Sequence, residues 1–202
     1  MTPARNNWIV GVQGRQAFVD ESQSRSARDP NTYLLAAAVC NQTSVPAVRA
    51  EIDALRVSGA RKLHWRDEDR KRRRKIAESI AGMPLVHVVV VRDGQPDEKP
   101  ERRRRHCMER LLYELDSLDV DTVTFESRGP KDDKRDRDML DALRSKKMIP
   151  STLRIEHAIG LHEPMLWIAD AICGAVVQFR TGDPTYLETI RAQADLRMLA
   201  IE

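Results

Sequence analysis

The apolar run Ala17-Phe18-Val19 passes without a break into Asp20-Glu21-Ser22. Strand-forming residues of this kind belong inside a sheet, and a sheet interior cannot end on two ionised carboxylates unless something offsets their charge. Two further acids stand in comparable settings. Glu126 closes the stretch Asp121–Phe125, and Asp170 lies in the middle of Met165–Val177. The latter segment is apolar around nearly its whole circumference, which is the pattern of a buried helix. An aspartate there has poor helix propensity and no opposite charge nearby in sequence. Asp170 is therefore either tied to an arginine or to backbone N–H groups, or it faces a metal site. The plain alternatives for the other two are a solvated acid at a strand end for Glu126 and a turn-forming residue for Asp20. Glu21 beside Asp20 makes a purely structural role less comfortable, since like charges repel.

The chain has 202 residues, 41% hydrophobic and 32% charged, which suits one ordered globular domain with a real core. Its net charge of +3 is small, but positive charge is concentrated in Arg70-Lys71-Arg72-Arg73-Arg74-Lys75 and in Arg102-Arg103-Arg104-Arg105. Each run is either a solvated helix face or a surface for a polyanion. The second run falls in the first turns of a helix after Pro100, where the macrodipole disfavours cations. An anionic partner accounts for that placement, and so do salt bridges to acidic loops. Cys40, Cys107 and Cys173 are far apart with no C-x-x-C pair, so neither a disulfide framework nor a zinc site is indicated. No apolar h-region opens the chain and no run approaches a membrane span, so a cytoplasmic protein is expected.

In chain order, Met1–Asn7 reads as a loose terminus and Trp8–Val12 as the possible start of a short strand. Gln16–Asp20 and Tyr33–Val39 are strands joined as a hairpin. Helices are expected over Val45–Val57 and Asp67–Ala81, making about 45–83 a helical insertion after the second strand. Leu85–Val91 is β-branched on both faces and reads as a covered strand. A helix from Glu101 to about Leu118, the strand Asp121–Phe125, an exposed charged run Lys131–Asp138 leading into a helix, and the strand Leu153–Ala158 follow. The apolar helix from Glu163 to about Phe179 and a C-terminal helical extension over about 185–202 complete the chain. The reading is α/β: an RNase H-like mixed sheet, an antiparallel ribbon extended by parallel strands and flanked by helices.

In that arrangement the strands ending in Asp20 and Glu126 are neighbours, and the apolar helix crosses their ends with Asp170. Oxygen ligands from three carboxylates, with no cysteine or histidine set, suit Mg²⁺ or Mn²⁺. Such ions can activate a water and stabilise the leaving oxygen of a phosphoryl displacement.

The segments Phe18-Val19-Asp20-Glu21-Ser22 and Leu166-Trp167-Ile168-Ala169-Asp170-Ala171-Ile172-Cys173-Gly174 resemble the end motifs of the RNase H-like family catalogued as domain-of-unknown-function family 3800. Glu126-Ser127-Arg128 stands where that family carries a strand followed by Asp and a basic residue, a Glu for Asp departure. Lys62-Leu63-His64-Trp65 matches its short His-containing island. The resemblance spans Gln16 to Phe179 and implies the fold and a metal-binding acidic site.

The function expected is a divalent-metal-dependent nuclease acting on DNA or RNA. Asp20, Glu126 and Asp170 bind the metal, Glu21 is an auxiliary ligand or a neighbour of one, and His162 assists catalysis unless it is a plain loop histidine. Nucleic acid is expected at Arg128, at His64, at Arg72, Arg73 and Arg74, and at Arg102, Arg103, Arg104 and Arg105. Arg128 alternatively pairs with Glu126, and His64 alternatively packs on Trp65. The rival reading keeps the fold but makes the chain a catalytically weak nucleic-acid-binding module of a mobile-element or defence system. A glycosidase ranks third, because three Phe, three Tyr and three Trp leave little for sugar stacking.

Overall fold

The structure, a computed structural model, describes residues 14–24 and 27–201. The expected terminus Met1–Asn7 and strand Trp8–Val12 lie outside the described residues. The first two strands, β1 (Arg15–Gln23) and β2 (Thr32–Asn41), form the hairpin that their apolar runs and the Asp29-Pro30-Asn31 turn predict. Asn31 takes a left-handed backbone, φ 66°, as an asparagine in a turn can. Helices α1 (Val45–Ala54) and α2 (Arg70–Gly82) follow, and β3 (Val86–Asp93) returns antiparallel to β2. Then come α3 (Pro100–Asp116), β4 (Val120–Glu126), α4 (Pro130–Ser145), β5 (Arg154–Ala158), α5 (Met165–Arg180), α6 (Thr185–Arg191) and β6 (Asp195–Ile201).

The sheet order is β5-β4-β1-β2-β3-β6. β4 lies parallel to β1, β5 parallel to β4, and β6 parallel to β3. Side chains alternate between two cores. Phe18, Leu34, Ala36, Ala38 and Val89 face α1, α2, α5 and α6. Ala17, Val19, Leu35, Val88 and Phe125 face α3 and α4. The small residues Ala36 and Ala38 on β2 let α5 approach the sheet closely, so its all-apolar circumference is buried as expected.

Two elements differ from their sequence pattern. The expected C-terminal helix over 185–202 is instead the short α6 followed by β6. Leu, Met and Ala favour helix, but the outer edge of β3 offers a full row of hydrogen bonds and an apolar seat on each face. Leu196 and Met198 take one seat, Leu199 and Ile201 the other. The charged run Lys131–Asp138 is part of α4 and is not wholly exposed, since Asp133 and Asp136 are buried. These two share a stripe with Leu140 and Leu143 at helical spacing, so the same face that packs also carries the acids. The 45–83 segment holds α1 and α2, with the 3₁₀ turn Trp65–Asp67 between them.

His87 sits in the covered strand β3, fully buried, with no hydrogen-bond partner for either ring nitrogen. Burial pushes its pKa down to about 4. The folded ring therefore stays neutral while the unfolded chain takes up a proton near pH 6.5, and stability falls as the pH drops from about 6.5 to about 4. The loss across that window is about 3 kcal/mol. Urea unfolding at pH 7.5 and pH 4.5 should show this fall in the parent chain and a clearly smaller one in His87→Leu. Equal pH dependence in the two proteins would refute the assignment.

Candidate functional site

Strand register brings the first two acids together. Val19 of β1 is level with Phe125 of β4, the last pair those two strands share, so the residues that follow each of them, Asp20 and Glu126, stand side by side where the strands part. Asp20 shares its face with Phe18, toward α5. On α5 the centre of the apolar helix presents Asp170. The three carboxylates line one depression of about 210 Å³ at the carboxyl ends of β1 and β4, where open α/β sheets bind their ligands.

Their proximity shows in the electrostatics. Burial, then the charges of Asp170 and Glu126, hold the Asp20 carboxyl well above the usual carboxylate range. The Glu21 backbone N–H donates to Asp20 Oδ1 at 2.7 Å, and two basic groups answer the crowding at the other acids. His64 Nδ1 lies 2.9 Å from Asp170 Oδ2, and Lys62 Nζ lies 3.8 Å from Glu126 Oε1. Asp170 Oδ2 also accepts from the Trp65 backbone N–H at 2.8 Å. The hydrogen bond to Asp170 is the main reason that His64 has a raised pKa. Among the described residues no three His, Cys, Asp or Glu side chains are already disposed as a metal cage.

Glycines make room for this arrangement. Gly174 stands one turn after Asp170, and a Cβ there would run into the Trp65 indole. Asp170 and Gly174 thus receive the backbone and the ring of the same tryptophan. Trp65 Nε1 donates to Gln178 Oε1 at 2.9 Å, one turn further along. Gly160, in the loop after β5, is what lets the Glu126 side chain fit, since a Cβ there would meet its carboxylate.

Strand alternation sends Glu21 to the opposite face from Asp20, and its partners differ accordingly. Arg104 Nη1 lies 3.1 Å from Glu21 Oε2, an ion pair without hydrogen-bond alignment. Arg104 Nη2 donates to Asp136 Oδ2 at 2.7 Å. Asp136 also meets His157 Nε2 at 3.1 Å and Arg128 Nη2 at 3.3 Å, and these partners hold its carboxyl below the usual range despite burial. Asp133 fixes the turn after β4, accepting from Ser127 Oγ at 2.6 Å and from the Arg128 N–H at 3.0 Å. The end of β4 that carries Glu126 is thus clamped from α4. Sequence reasoning missed this clamp, although the 133, 136, 140, 143 spacing carried the signal.

The remaining expected residues divide. Arg128 lines the carboxylate depression but pairs with Glu101 at 2.7 Å and with Asp136, not with Glu126. Arg103 and Arg104 are each only 3% exposed and do not form a nucleic-acid surface. Acidic partners explain their place at a helix start: Glu21 and Asp136 for Arg104, and Glu98 for Arg103. Arg102 and Arg105 are exposed. Arg72 is bound to Glu68 and to the Leu55 carbonyl, and Arg73 to the Trp65 carbonyl, with its guanidinium 5.7 Å from the Trp65 ring centre. Arg74 is exposed. His162 is exposed in a separate depression with Arg49 and Asp53, and is not among the residues that line the carboxylate site.

No protein-family profile matches the chain, and no curated protein matches it. Solved structures do. RNase HII of Archaeoglobus fulgidus, from its complex with PCNA, superposes with a TM-score of 0.51 at 15% identity, over 82% of this chain and 73% of that one. Ribonuclease H2 from Pyrococcus horikoshii OT3 gives 0.52 at 13% identity, over 83% and 74%. Bst-RNase HIII in complex with Mn²⁺ gives 0.53 at 15% identity, over 83% of this chain and 53% of that one, so the chain spans about half of its length. The fold is RNase H-like.

Arg104→Ala leaves Glu21 and Asp136 without their shared buried cation, and should cost about 3–5 kcal/mol in denaturant unfolding. Arg102→Ala and Arg105→Ala should stay within about 0.5 kcal/mol of the parent. A mild Arg104→Ala effect would show that the cluster does not carry the end of β4.

Proposed function

We propose that this chain is a divalent-metal-dependent nuclease that hydrolyses phosphodiester bonds of DNA or RNA. The observation that carries the reading is the convergence of Asp20, Glu126 and Asp170 toward the carboxyl ends of two parallel strands, with Asp20 half-buried against the charge of the other two. A chain that keeps three acids in one small depression against their repulsion has a reason to want a cation there. The donor set is all oxygen apart from His64, which fits Mg²⁺ or Mn²⁺. An RNase H-like neighbour is known with Mn²⁺ bound, in keeping with that choice.

Asp20, Glu126 and Asp170 are the residues that would hold the metal. When bound, a divalent ion supplies an activated water and charge stabilisation at the leaving oxygen. The chain's own groups act around that centre. Trp65 N–H and His64 orient Asp170 from one side, so its second oxygen is the one free to turn to a ligand. His64 Nδ1 lies within hydrogen-bond reach of Asp170, and that contact raises the His64 pKa above its ordinary value. Lys62, Arg128 and the exposed Arg102, Arg105 and Arg74 supply positive charge for a phosphate backbone. Glu21 is neutralised by Arg104 on the other face, which makes it a support of the β1 end rather than a direct ligand.

One observation favours the rival reading of a binding module with little catalysis. Lys62 and His64 already partner two of the three acids, so the site has a way to rest without metal. The two readings part in one set of measurements. Labelled single- and double-stranded DNA and RNA are incubated with Mg²⁺ or Mn²⁺, and cleavage is expected to fall by at least about a hundredfold in Asp20→Asn and in Asp170→Asn. Shifted but uncut nucleic acid would support the module.

A thermal readout is independent of activity. A carboxyl whose folded pKa is raised removes stability at neutral pH and returns it as the pH falls. Asp20→Asn should therefore raise the melting temperature of the metal-free protein, by about 2–4 °C for each ~1 kcal/mol relieved. The parent should gain about 2.7 kcal/mol from Mn²⁺ at a hundred times its Kd, and the variant should gain far less. A variant that melts lower without metal and responds to Mn²⁺ like the parent would overturn the assignment.

A further inference from the structure

A second cavity opens beside the carboxylates. It measures about 560 Å³, against about 210 Å³ for the acidic depression, and the two share Glu21, His64, Arg128 and Asp170 in their walls. The two adjoin across those four residues, the smaller one acidic and the other roomier. The roomier cavity is of a size that takes a small organic group rather than a bare ion.

Its walls are mixed in a particular way. Gly174 and Val177 of α5 form an apolar floor, with Tyr33 and Trp65 beside them. Trp65 does not drift there. Its ring meets Tyr186 edge-on at 5.2 Å, its Nε1 is bound by Gln178, and Arg73 lies over it. Around the floor stand side-chain hydrogen-bonding groups, those of Ser22, Gln23 and Gln178, and the cations Arg66 and Arg73. An apolar floor with a rim of amides, hydroxyls and guanidinium groups, and with the acids Glu21, Glu101 and Asp170 toward the carboxylate side, is chemistry that can receive an unstacked nucleobase: apolar contact for the face, hydrogen bonds for the edge. A peptide or a sugar would not need the cations, and a bare phosphate would not need the floor.

Building on the nuclease reading, we infer that this cavity binds the base of an unpaired nucleotide next to the scissile phosphate. The substrate is then a strand whose nucleotide at the cut can leave the stack: single-stranded, at a mismatch or bulge, or at an end. A continuous duplex is cut poorly, because its base must first be unpaired at a cost of a few kcal/mol. Recognition sits on the helical insertion between β2 and β3, on α5 and on the last residues of β1, while the phosphate is held beside the carboxylates.

The test uses the parent protein and short labelled DNA and RNA strands in Ca²⁺, which holds the complex uncut. Each strand is made intact and with a single abasic residue at successive positions. At one position, base removal should weaken binding about tenfold or more, as loss of one seated base does. Val177→Phe fills the floor without touching an acid, and should bring the intact strand to the abasic level. In parallel the intact strands are given Mn²⁺ and scored for cutting. Intact and abasic strands that bind equally at every position, with cutting retained, overturn the base site and leave the nuclease reading standing. Base-dependent binding without cutting upholds the base site and ends the nuclease reading. Neither binding nor cutting overturns both. A duplex cut as fast as the same sequence unpaired overturns the substrate class.

Discussion

Like charge held together is the constraint that the rest of this structure answers. Asp20 is half-buried next to Asp170 and Glu126, and away from bulk water that crowding is expensive unless the carboxyl keeps a proton or gains a cation. Each surrounding element can be understood by how it bears on the cost. The parallel register of β1 and β4 forces the first pair side by side. The apolar girth of α5 leaves its one aspartate no route to solvent except along the strand ends. Lys62 and His64, both from the segment between the two inserted helices, bring the offsetting charge.

Adjacent residues on β1 do different work because a strand alternates. Asp20 turns toward α5 and Asp170, and Glu21 turns to the other side of the strand, where it stands at the edge of the same depression and Arg104 meets it. Arg104 also closes on Asp136, which draws in His157 and Arg128. The network ties α3, α4, β5 and the turn after β4 to the end of β1. Buried ion pairs of this kind add little net stability over apolar packing, but removing one member leaves the others uncompensated. The cluster is better understood as fixing where Glu126 leaves the sheet than as a source of fold energy.

What the sequence made legible follows from how local each signal is. The strand Gln16–Asp20 and the buried helix around Asp170 carry their environment in their own residues, and both sit where their patterns place them. The order of strands and helices was enough to bring those acids to one end of the sheet. The arginine run at 102–105 was not readable in that way. Four identical residues in a row differ only by their angle round the helix, so two face a buried acid network and two face water. The C-terminal segment failed for a different reason. Its residues favour helix locally, and the open edge of β3, more than a hundred residues earlier, decides the outcome. Asp133 and Asp136 were hidden in a run of charge whose composition masked its period.

The island Lys62-Leu63-His64-Trp65 shows that the insertion belongs to the site and does not merely decorate the sheet. Leu63 and Trp65 are buried in the core that α5 shares with α1 and α2, so the island's backbone is held from below. From that anchorage it reaches Asp170 twice, by the Trp65 N–H and by the His64 ring, and it occupies the gap that Gly174 leaves in α5. Glycine in the middle of a helix costs about 1 kcal/mol against alanine. Here that cost is offset by the only way to bring an indole flush with the helix one turn from the aspartate. The acids come from the sheet and α5, and the roomier cavity takes His64, Trp65 and Arg66 of its wall from the segment between α1 and α2. Changes confined to that segment can therefore alter what enters the cleft while leaving the carboxylates where the strand register puts them.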